Sequence, residues 1–343
     1  MKAIVIHAAN DLRIEEHPLR ALGDDEVQIK TATGGVCGSD LHYFHNGGFG
    51  PVKLKEPMVL GHEVSGHVSA LGKSVTGLKE GDLVAVSPSR PCGACRYCAR
   101  GQRNHCLNMR FYGSAMPFPH IQGAFRETLN AHVSQCVDAN GLTSAEAAMA
   151  EPLSVVLHAM KQAGELLGKR VLITGSGPIG VLCVLAARRA GAVEIVTTDL
   201  SDNALSFAKQ AGCDTCINIA DRPEALDAYQ IDKGYFDVLF ECSGAAPALT
   251  AGIHVMAPGG VVVQLGLGGD MSLPMMAITA KELQLRGSFR FHEEFPIAIE
   301  LMKSQLIDVN ALVTHTIAFE NSIEAFTLAS DRNVAMKTQI QFS

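Results

Sequence analysis

Cys92, Cys95, Cys98 and Cys106 are spaced C-x2-C-x2-C-x7-C. Two-residue gaps let successive thiolates turn toward one centre, and a fourth from the returning chain closes a tetrahedron. Four thiolates leave no open position, so the expected role is structural zinc. An iron–sulfur cluster is the weaker alternative, because the last gap is longer than in the ferredoxin run. Arg90, Arg96, Arg100 and Arg103 interleave with the cysteines and keep a nucleic-acid zinc module as a minority reading. Three other pieces lie far apart: Cys37 in GVCGSDLH, His62-Glu63 in LGHEVSG and Glu151 in AEPLS. Each alone is ambiguous, since a buried Cys is most often a small hydrophobe and an acid before proline suits a helix N-terminus. Together they offer a thiolate, an imidazole and two carboxylates, enough to hold zinc through three protein atoms and leave one position open. An open zinc lowers the pKa of a bound hydroxyl toward neutrality, which is what removing hydride from a carbinol carbon requires. The hydroxyl of Ser39 can accept and donate a proton, and His42 either continues that relay to solvent or is a surface residue of the same loop.

A second constellation is the glycine run 175–180, GSGPIG, which matches G-x-G-x-x-G. It follows an expected strand and opens an expected helix, the context the motif needs. Gly175 permits the tight turn, Gly177 lets a pyrophosphate approach the backbone, and Gly180 lets the helix pack on the sheet. Pro178 and Ile179 complete the turn beside the cofactor. Asp199 closes the next strand, where an acid bonds the ribose 2′-hydroxyl and repels a 2′-phosphate. Ser201, Asp202 and Asn203 follow it with no arginine, so NAD is favoured and NADP is the alternative. Gly266 and Arg290 are further candidates to line the cofactor.

The elements that must position these residues change character along the chain. Up to about residue 152, short alternating strands such as VQIKTAT (27–33), VSGHVSAL (64–71) and DLVAVSP (82–88) are separated by turn signals, the rhythm of a small barrel-like β domain. From 153 to 290, strands at VLIT (171–174), EIVTTD (194–199), FDVLFECSG (236–244), VVVQLGL (261–267) and LQLRGSF (283–289) alternate with helical runs such as 181–192 and 201–212. That alternation implies a parallel, doubly wound sheet. The remainder, 291–343, reads as helical and then as an extended TQIQFS that returns toward the first domain.

The 343 residues, 47% hydrophobic with a net charge of −7, suit a folded two-domain protein and argue against nucleic acid as the main partner. The start, MKAIVIHAANDLRIEE, does not read as a signal peptide, and the apolar stretch from Val171 to Ala187 is broken by Gly175, Gly177, Pro178 and Gly180, unlike a membrane span. Four of ten cysteines are crowded and the rest scattered, so metal ligation in a reducing, cytoplasmic setting is expected rather than disulfides.

GVCGSDLHYF, PMVLGHEVSG, the PCGACRYC…C run, AEPLSV and GSGPIG occur in this order over about 300 residues. In this the chain resembles the zinc-containing medium-chain dehydrogenases, and within them the sorbitol/polyol branch. The resemblance implies a GroES-like β-barrel catalytic domain with a structural zinc lobe, a Rossmann domain, and a homodimer or homotetramer acting on a small molecule, without nucleic acid or membrane. It implies two zinc ions: one structural, and one catalytic on Cys37, His62 and either Glu63 or Glu151. It also places Tyr43 and Phe111 at the substrate. The segments 109–125, 163–171 and 285–291 resemble the branch's sugar-acid dehydrogenases, so the expected reaction is at C5 of a sugar acid; a polyol of the L-iditol/sorbitol/xylitol type is the alternative. A forked guanidinium suits the acid's carboxylate, and the expected one is Arg110 or Arg290.

Overall fold

The computed structural model describes residues 1–342; Ser343, the last residue of the expected extended tail, lies outside them. The central strand of the first sheet is Glu26–Gly35, nearly all of it buried. One edge of it pairs with Glu63–Leu71. The other is shared, with Thr128–His132 taking its first half and Lys337–Gln341 its second. The full order is Cys136–Asp138, Leu83–Val86, Glu63–Leu71, Glu26–Gly35, Lys337–Gln341 and Val313–Ala318, with Thr128–His132 off this path. The end of the chain thus lies inside the sheet built on Glu26–Gly35, while the chain begins in a separate three-stranded sheet of Lys2–Ala8, Asp11–Glu16 and Met58–Val59. The tail expected to be helical does contain Glu294–Lys303 and Ser322–Ser330, but also the strand Val313–Ala318. That strand's β-branched, polar pattern fits a half-buried edge.

The second sheet has six parallel strands: Arg170–Thr174, Glu194–Asp199, Thr215–Asn218, Phe236–Glu241, Met256–Gln264 and Gln284–Gly287. Numbered in chain order, their spatial order is 3-2-1-4-5-6. This is the dinucleotide-binding doubly wound topology, with its switch point between Arg170–Thr174 and Phe236–Glu241. The helix after the glycine run spans Pro178–Arg189, starting earlier than the expected 181 because Pro178 is preorganised for a first helical turn. The next, Asp202–Gln210, is capped by Ser201, whose Oγ accepts from Ala204 N at 3.4 Å.

Helix Ala150–Ala163 links the two sheets, and Leu153, Val156 and Ala159 are fully buried in a core shared with the parallel sheet. The first sheet's own core centres on Phe125, Phe326 and Met58. Phe125 fixes two glycines beside the metal-site residues. Gly61 sits at φ +92° with an added Cβ only 2.2 Å from the Phe125 ring, and at Gly34 the same ring would be 2.7 Å away. Gly61→Ala is therefore expected to cost about 3 kcal/mol, from left-handed backbone strain plus overpacking. Gly77→Ala, at φ +83° with open space around it, should cost about 1 kcal/mol. Paired urea melts of the two variants measure the difference.

Candidate active site

Register brings the scattered ligands together. Gly35 stands directly opposite Glu63 across the antiparallel pair. Two residues past Gly35, Cys37 caps helix Gly38–Asn46. Cys37, His62 and Glu63 each present a ligand atom within 4.8 Å of the others, a set that can hold a metal ion. Ser39 Oγ lies 3.4 Å from His62 Nε2, while His42 is exposed on the same helix. Glu151, in the first turn of Ala150–Ala163, is buried but falls outside that close grouping. Burial pushes its carboxyl up to about 8, against the pull of His62.

Two residues not singled out in the sequence organise this group. Asp40 is buried at the start of the helix; its Oδ2 accepts from Cys37 N at 3.1 Å, and its Oδ1 accepts from Gly61 N at 3.2 Å and faces His62 Nδ1 at 3.5 Å. The carboxylate thereby sets the imidazole so that Nε2 faces the ligand cluster, as such partners do for metal-bound histidines. Burial opposes the positive charge of His62, but Asp40 and Cys37 outweigh it and raise its pKa. Asp40 had a legible signal, an acid three residues past a helix-capping position. Lys337 had none. It arrives on the chain's last strand, is 3% exposed, pairs with Glu63 Oε2 and donates to Val36 O at 3.0 Å.

Phe111 packs its ring 5.8 Å from that of His62, and the Arg290 guanidinium lies 4.3 Å over Phe111 and 4.9 Å over Phe289. Arg290 has φ +57° and donates from Nη2 to Met116 Sδ at 3.3 Å. It forms no ion pair among the described residues. Burial depresses its pKa, and the charges that act on it most are Glu151 and Tyr43. Tyr43 is buried, and its hydroxyl accepts from Ala115 N at 3.0 Å. Arg110 is not brought to this group. On strand Arg110–Phe111 adjacent side chains face opposite ways, so the strand that sends Phe111 to His62 sends Arg110 to a separate cavity with Arg20, Arg90 and Arg126.

The four-cysteine group also closes. All four sulfurs lie within 4.8 Å of one another, with Cys95–Cys98 at 3.6 Å and Cys95–Cys106 at 4.0 Å. A tetrahedron with ~2.3 Å zinc–sulfur bonds places sulfurs about 3.8 Å apart. Backbone N–H groups, first that of Cys98, draw the Cys95 thiol down to about 6.

At the glycine run, Gly175 has φ +88°, and a Cβ on Gly180 would meet Gly175 O at 1.9 Å. Nothing lies within 4 Å of a Cβ built on Gly177, the capping residue of the helix at Pro178 and Ile179. This open cradle at a helix N-terminus fits a pyrophosphate. Asp199 is tied to the turn: Oδ2 accepts from Ser176 N at 2.6 Å and Oδ1 from Leu200 N and Ser201 N. At the switch point Glu241 is wholly buried and accepts from Ser243, Gly244 and Gln264. Gly266 packs there, where a Cβ would sit 2.2 Å from Gly244 N. Sequence reasoning passed over Glu241, whose only trace is an acid inside an apolar strand.

Comparison with known proteins agrees with this geometry. The chain matches the alcohol dehydrogenase GroES-like domain over residues 23–141 and the zinc-binding dehydrogenase family over 178–304. It is 44% identical to the L-idonate 5-dehydrogenase (NAD(P)(+)) of Escherichia coli K12, over 92% of this chain and 91% of that one. The crystal structure of the L-idonate 5-dehydrogenase from E. coli K-12 MG1655 superposes with a TM-score of 0.95 at 41% identity, covering 99% and 98% of the two chains. A sorbitol dehydrogenase of Gallus gallus is 38% identical over 94% of this chain and 92% of its own. A cofactor-bound structure, described as a short chain alcohol dehydrogenase from E. coli CFT073 complexed with NADH, gives a TM-score of 0.90 at 26% identity, covering 100% and 99%. Zinc and a nicotinamide dinucleotide are thus this protein's cofactors. No helix among the described residues is long and apolar enough to cross a membrane. Asp40→Asn is expected to weaken zinc at Cys37, His62 and Glu63 by 10- to 100-fold while leaving the four-cysteine zinc in place. Metal content after graded chelation would read this as the loss of one zinc before the other.

Proposed function

The chain belongs to the zinc-binding dehydrogenases with a GroES-like N-terminal domain, and we propose that within this family it interconverts L-idonate and 5-keto-D-gluconate at C5, with NAD or NADP. The observation that carries the substrate reading is Arg290. Its guanidinium is partly desolvated, lies against Phe111 beside His62, and forms no ion pair among the described residues, although the charge of Glu151 acts on it from a distance. A half-buried guanidinium with no ion-pair partner is a ready site for a substrate carboxylate, which would meet it with charge-assisted hydrogen bonds. The similarity to L-idonate 5-dehydrogenase over nine-tenths of both chains supports the same reading. A polyol substrate is the second reading, favoured by the 38% identity to a sorbitol dehydrogenase.

Residue roles follow from the same geometry. Zinc held by Cys37, His62 and Glu63 would supply the Lewis acid that makes the C5 hydroxyl acidic, and the nicotinamide would supply the hydride acceptor. Glu63 serves as the third ligand because it, and not Glu151, groups with Cys37 and His62. Ser39 takes the hydroxyl proton, and exposed His42, one helical turn on, releases it to solvent. Tyr43 and Phe111 shape the pocket, and Arg290 orients the acid so that C5 rather than another carbinol carbon is presented. Cys92, Cys95, Cys98 and Cys106 hold the structural zinc. Gly175, Gly177, Pro178, Ile179 and Gly180 receive the pyrophosphate, Asp199 binds the adenosine ribose, and Gly266 keeps the backbone close at the nicotinamide end.

The exposed outer strand Gln284–Gly287, with Leu267, Met275 and Met276 nearby in sequence and also exposed, supports self-association as a homodimer or homotetramer. The crowded thiols and metal chemistry support a reducing cytoplasmic setting. The net charge of −7 supports a small-molecule partner over nucleic acid. Reduction of NAD followed by absorbance should give a higher kcat/KM for L-idonate than for sorbitol. Arg290→Met should raise KM for L-idonate by roughly 10- to 100-fold, the worth of a hydrogen bond between charged groups, and leave the sorbitol KM within a few-fold. Equal losses on the two substrates would refute the carboxylate assignment.

A further inference from the structure

The cavity that receives Arg110 is a site in its own right, with a volume of about 400 Å³ and four arginines in its wall: Arg20, Arg90, Arg110 and Arg126. Its single lining carboxylate, Glu26, is held in a two-pronged pair by Arg20 and also accepts from Gly23 N at 3.0 Å. Arg90, Arg110 and Arg126 form no ion pair among the described residues. Arg90 and Arg110 stand directly opposite each other across the antiparallel pair Ser89–Arg90 and Arg110–Phe111. Like charges so placed repel unless something lies between them. Arg126 is half-buried; its Nε and Nη2 both donate to one acceptor, Gly123 O, and desolvation pushes its pKa down to about 10.

The histidines in the wall do not alter this balance. His120 is engaged on both ring nitrogens, Nε2 accepting from Lys55 N and Nδ1 facing Pro117 O, each at 2.9 Å. His132 is engaged by Asp25 at 3.0 Å, and burial together with Arg126 drives the His17 pKa down. Three guanidiniums without an ion pair therefore line one cavity, Arg90 sharing only the outlying field of Glu26, in a protein whose net charge is −7.

We propose that this cavity binds the phosphate group of a small phosphorylated metabolite, with Arg90, Arg110 and Arg126 as its ligands. A lone carboxylate would neutralise one of the three arginines. A phosphate brings close to two negative charges and three acceptor oxygens, which guanidinium forks match in geometry. The volume falls in the lower range of small-molecule sites, roughly 300–1,000 Å³, and leaves room for the ester's organic part. Because Arg110 points away from Phe111 and His62, the site is separate from the one that handles the substrate and does not depend on the substrate assignment.

Calorimetric titration of the intact zinc-loaded enzyme in phosphate-free buffer tests it, using inorganic phosphate, glucose 6-phosphate, and chloride at matched ionic strength. Saturable binding of the phosphate probes but not chloride is expected. Tighter binding of the ester identifies an ester as the occupant, and equal binding identifies free phosphate; either result sustains the site. Arg90→Gln with Arg126→Gln should weaken phosphate binding at least about tenfold with kcat/KM for the dehydrogenase reaction unchanged, which also shows that the fold is kept. If that pair loses activity, Arg90→Gln alone carries the test, with a several-fold loss expected. Heats equal to those of chloride, or unchanged affinity in an active variant, would overturn the proposal. So would sedimentation of the variant as a smaller species than the wild type, since the arginines would then be meeting a partner subunit's carboxylates.

Discussion

Gly35 opposite Glu63 is the constraint on which the metal site depends. A Cβ at Gly35 would lie 2.1 Å from Glu63 Oε2 and 3.0 Å from Lys337 Cε, so only a hydrogen there lets the carboxylate and the ammonium occupy the same depth. Removing two charges from water costs several kcal/mol per ion, which their attraction repays only with good geometry. The Lys337 ammonium meets that condition by adding a hydrogen bond to Val36 O at 3.0 Å. Burial alone would lower its pKa, but Glu63 and Cys37 outweigh burial and raise it. A pair this expensive adds little stability beyond what apolar packing would give. Its return is positional: the last strand of the chain is pinned to the first sheet beside the carboxylate that faces Cys37 and His62.

Asp40 does for the imidazole and thiolate what Lys337 does for the carboxylate. One buried group holds Cys37 N, Gly61 N and His62 Nδ1 at once, and each bond also closes part of the backbone. Capping a helix and orienting a ligand are the same contact here, so the site's precision comes from interactions the fold needs anyway. Gly61 belongs to the same arrangement, since its positive φ and the Phe125 ring leave no alternative path for the chain between Asp40 and His62.

Legibility from sequence followed how local the signal was. The four-cysteine run and the glycine run are contiguous, and their spacing carries the geometry, so both could be read with their chemistry. The ligands Cys37, His62 and Glu63 were legible as types, because few side chains bind zinc, but what joins them is a strand register that spacing does not show. Asp40 carries a local helix-capping signal, but a buried acid that supports ligands has no spacing of its own to mark that second role. Lys337 was hidden in principle: a lysine near a chain's end looks solvent-facing until the strand containing it is placed in the middle of a sheet. Arg110 was misplaced for a related reason. Residue type and the resemblance of 109–125 point to it as a carboxylate ligand, but neither shows which face of the strand it occupies, and strand geometry makes Arg110 and Phe111 opposites.

That same alternation explains how one short strand serves two chemistries. On the Phe111 face an aromatic ring separates His62 from the Arg290 guanidinium, with centroid distances of 5.8 and 4.3 Å. A ring is a suitable divider, because its face attracts the cation while its bulk keeps water away. On the Arg110 face there is no such divider. Arg90 and Arg110 face each other with no acid to separate them, at a position where a pair of opposite charges would be favourable. The cost of that arrangement falls on an isolated two-stranded ribbon and returns nothing to the zinc site. Arg110 is exposed and Arg90 half-buried, so solvent screens part of that repulsion, and an anion in the cavity would relieve the rest.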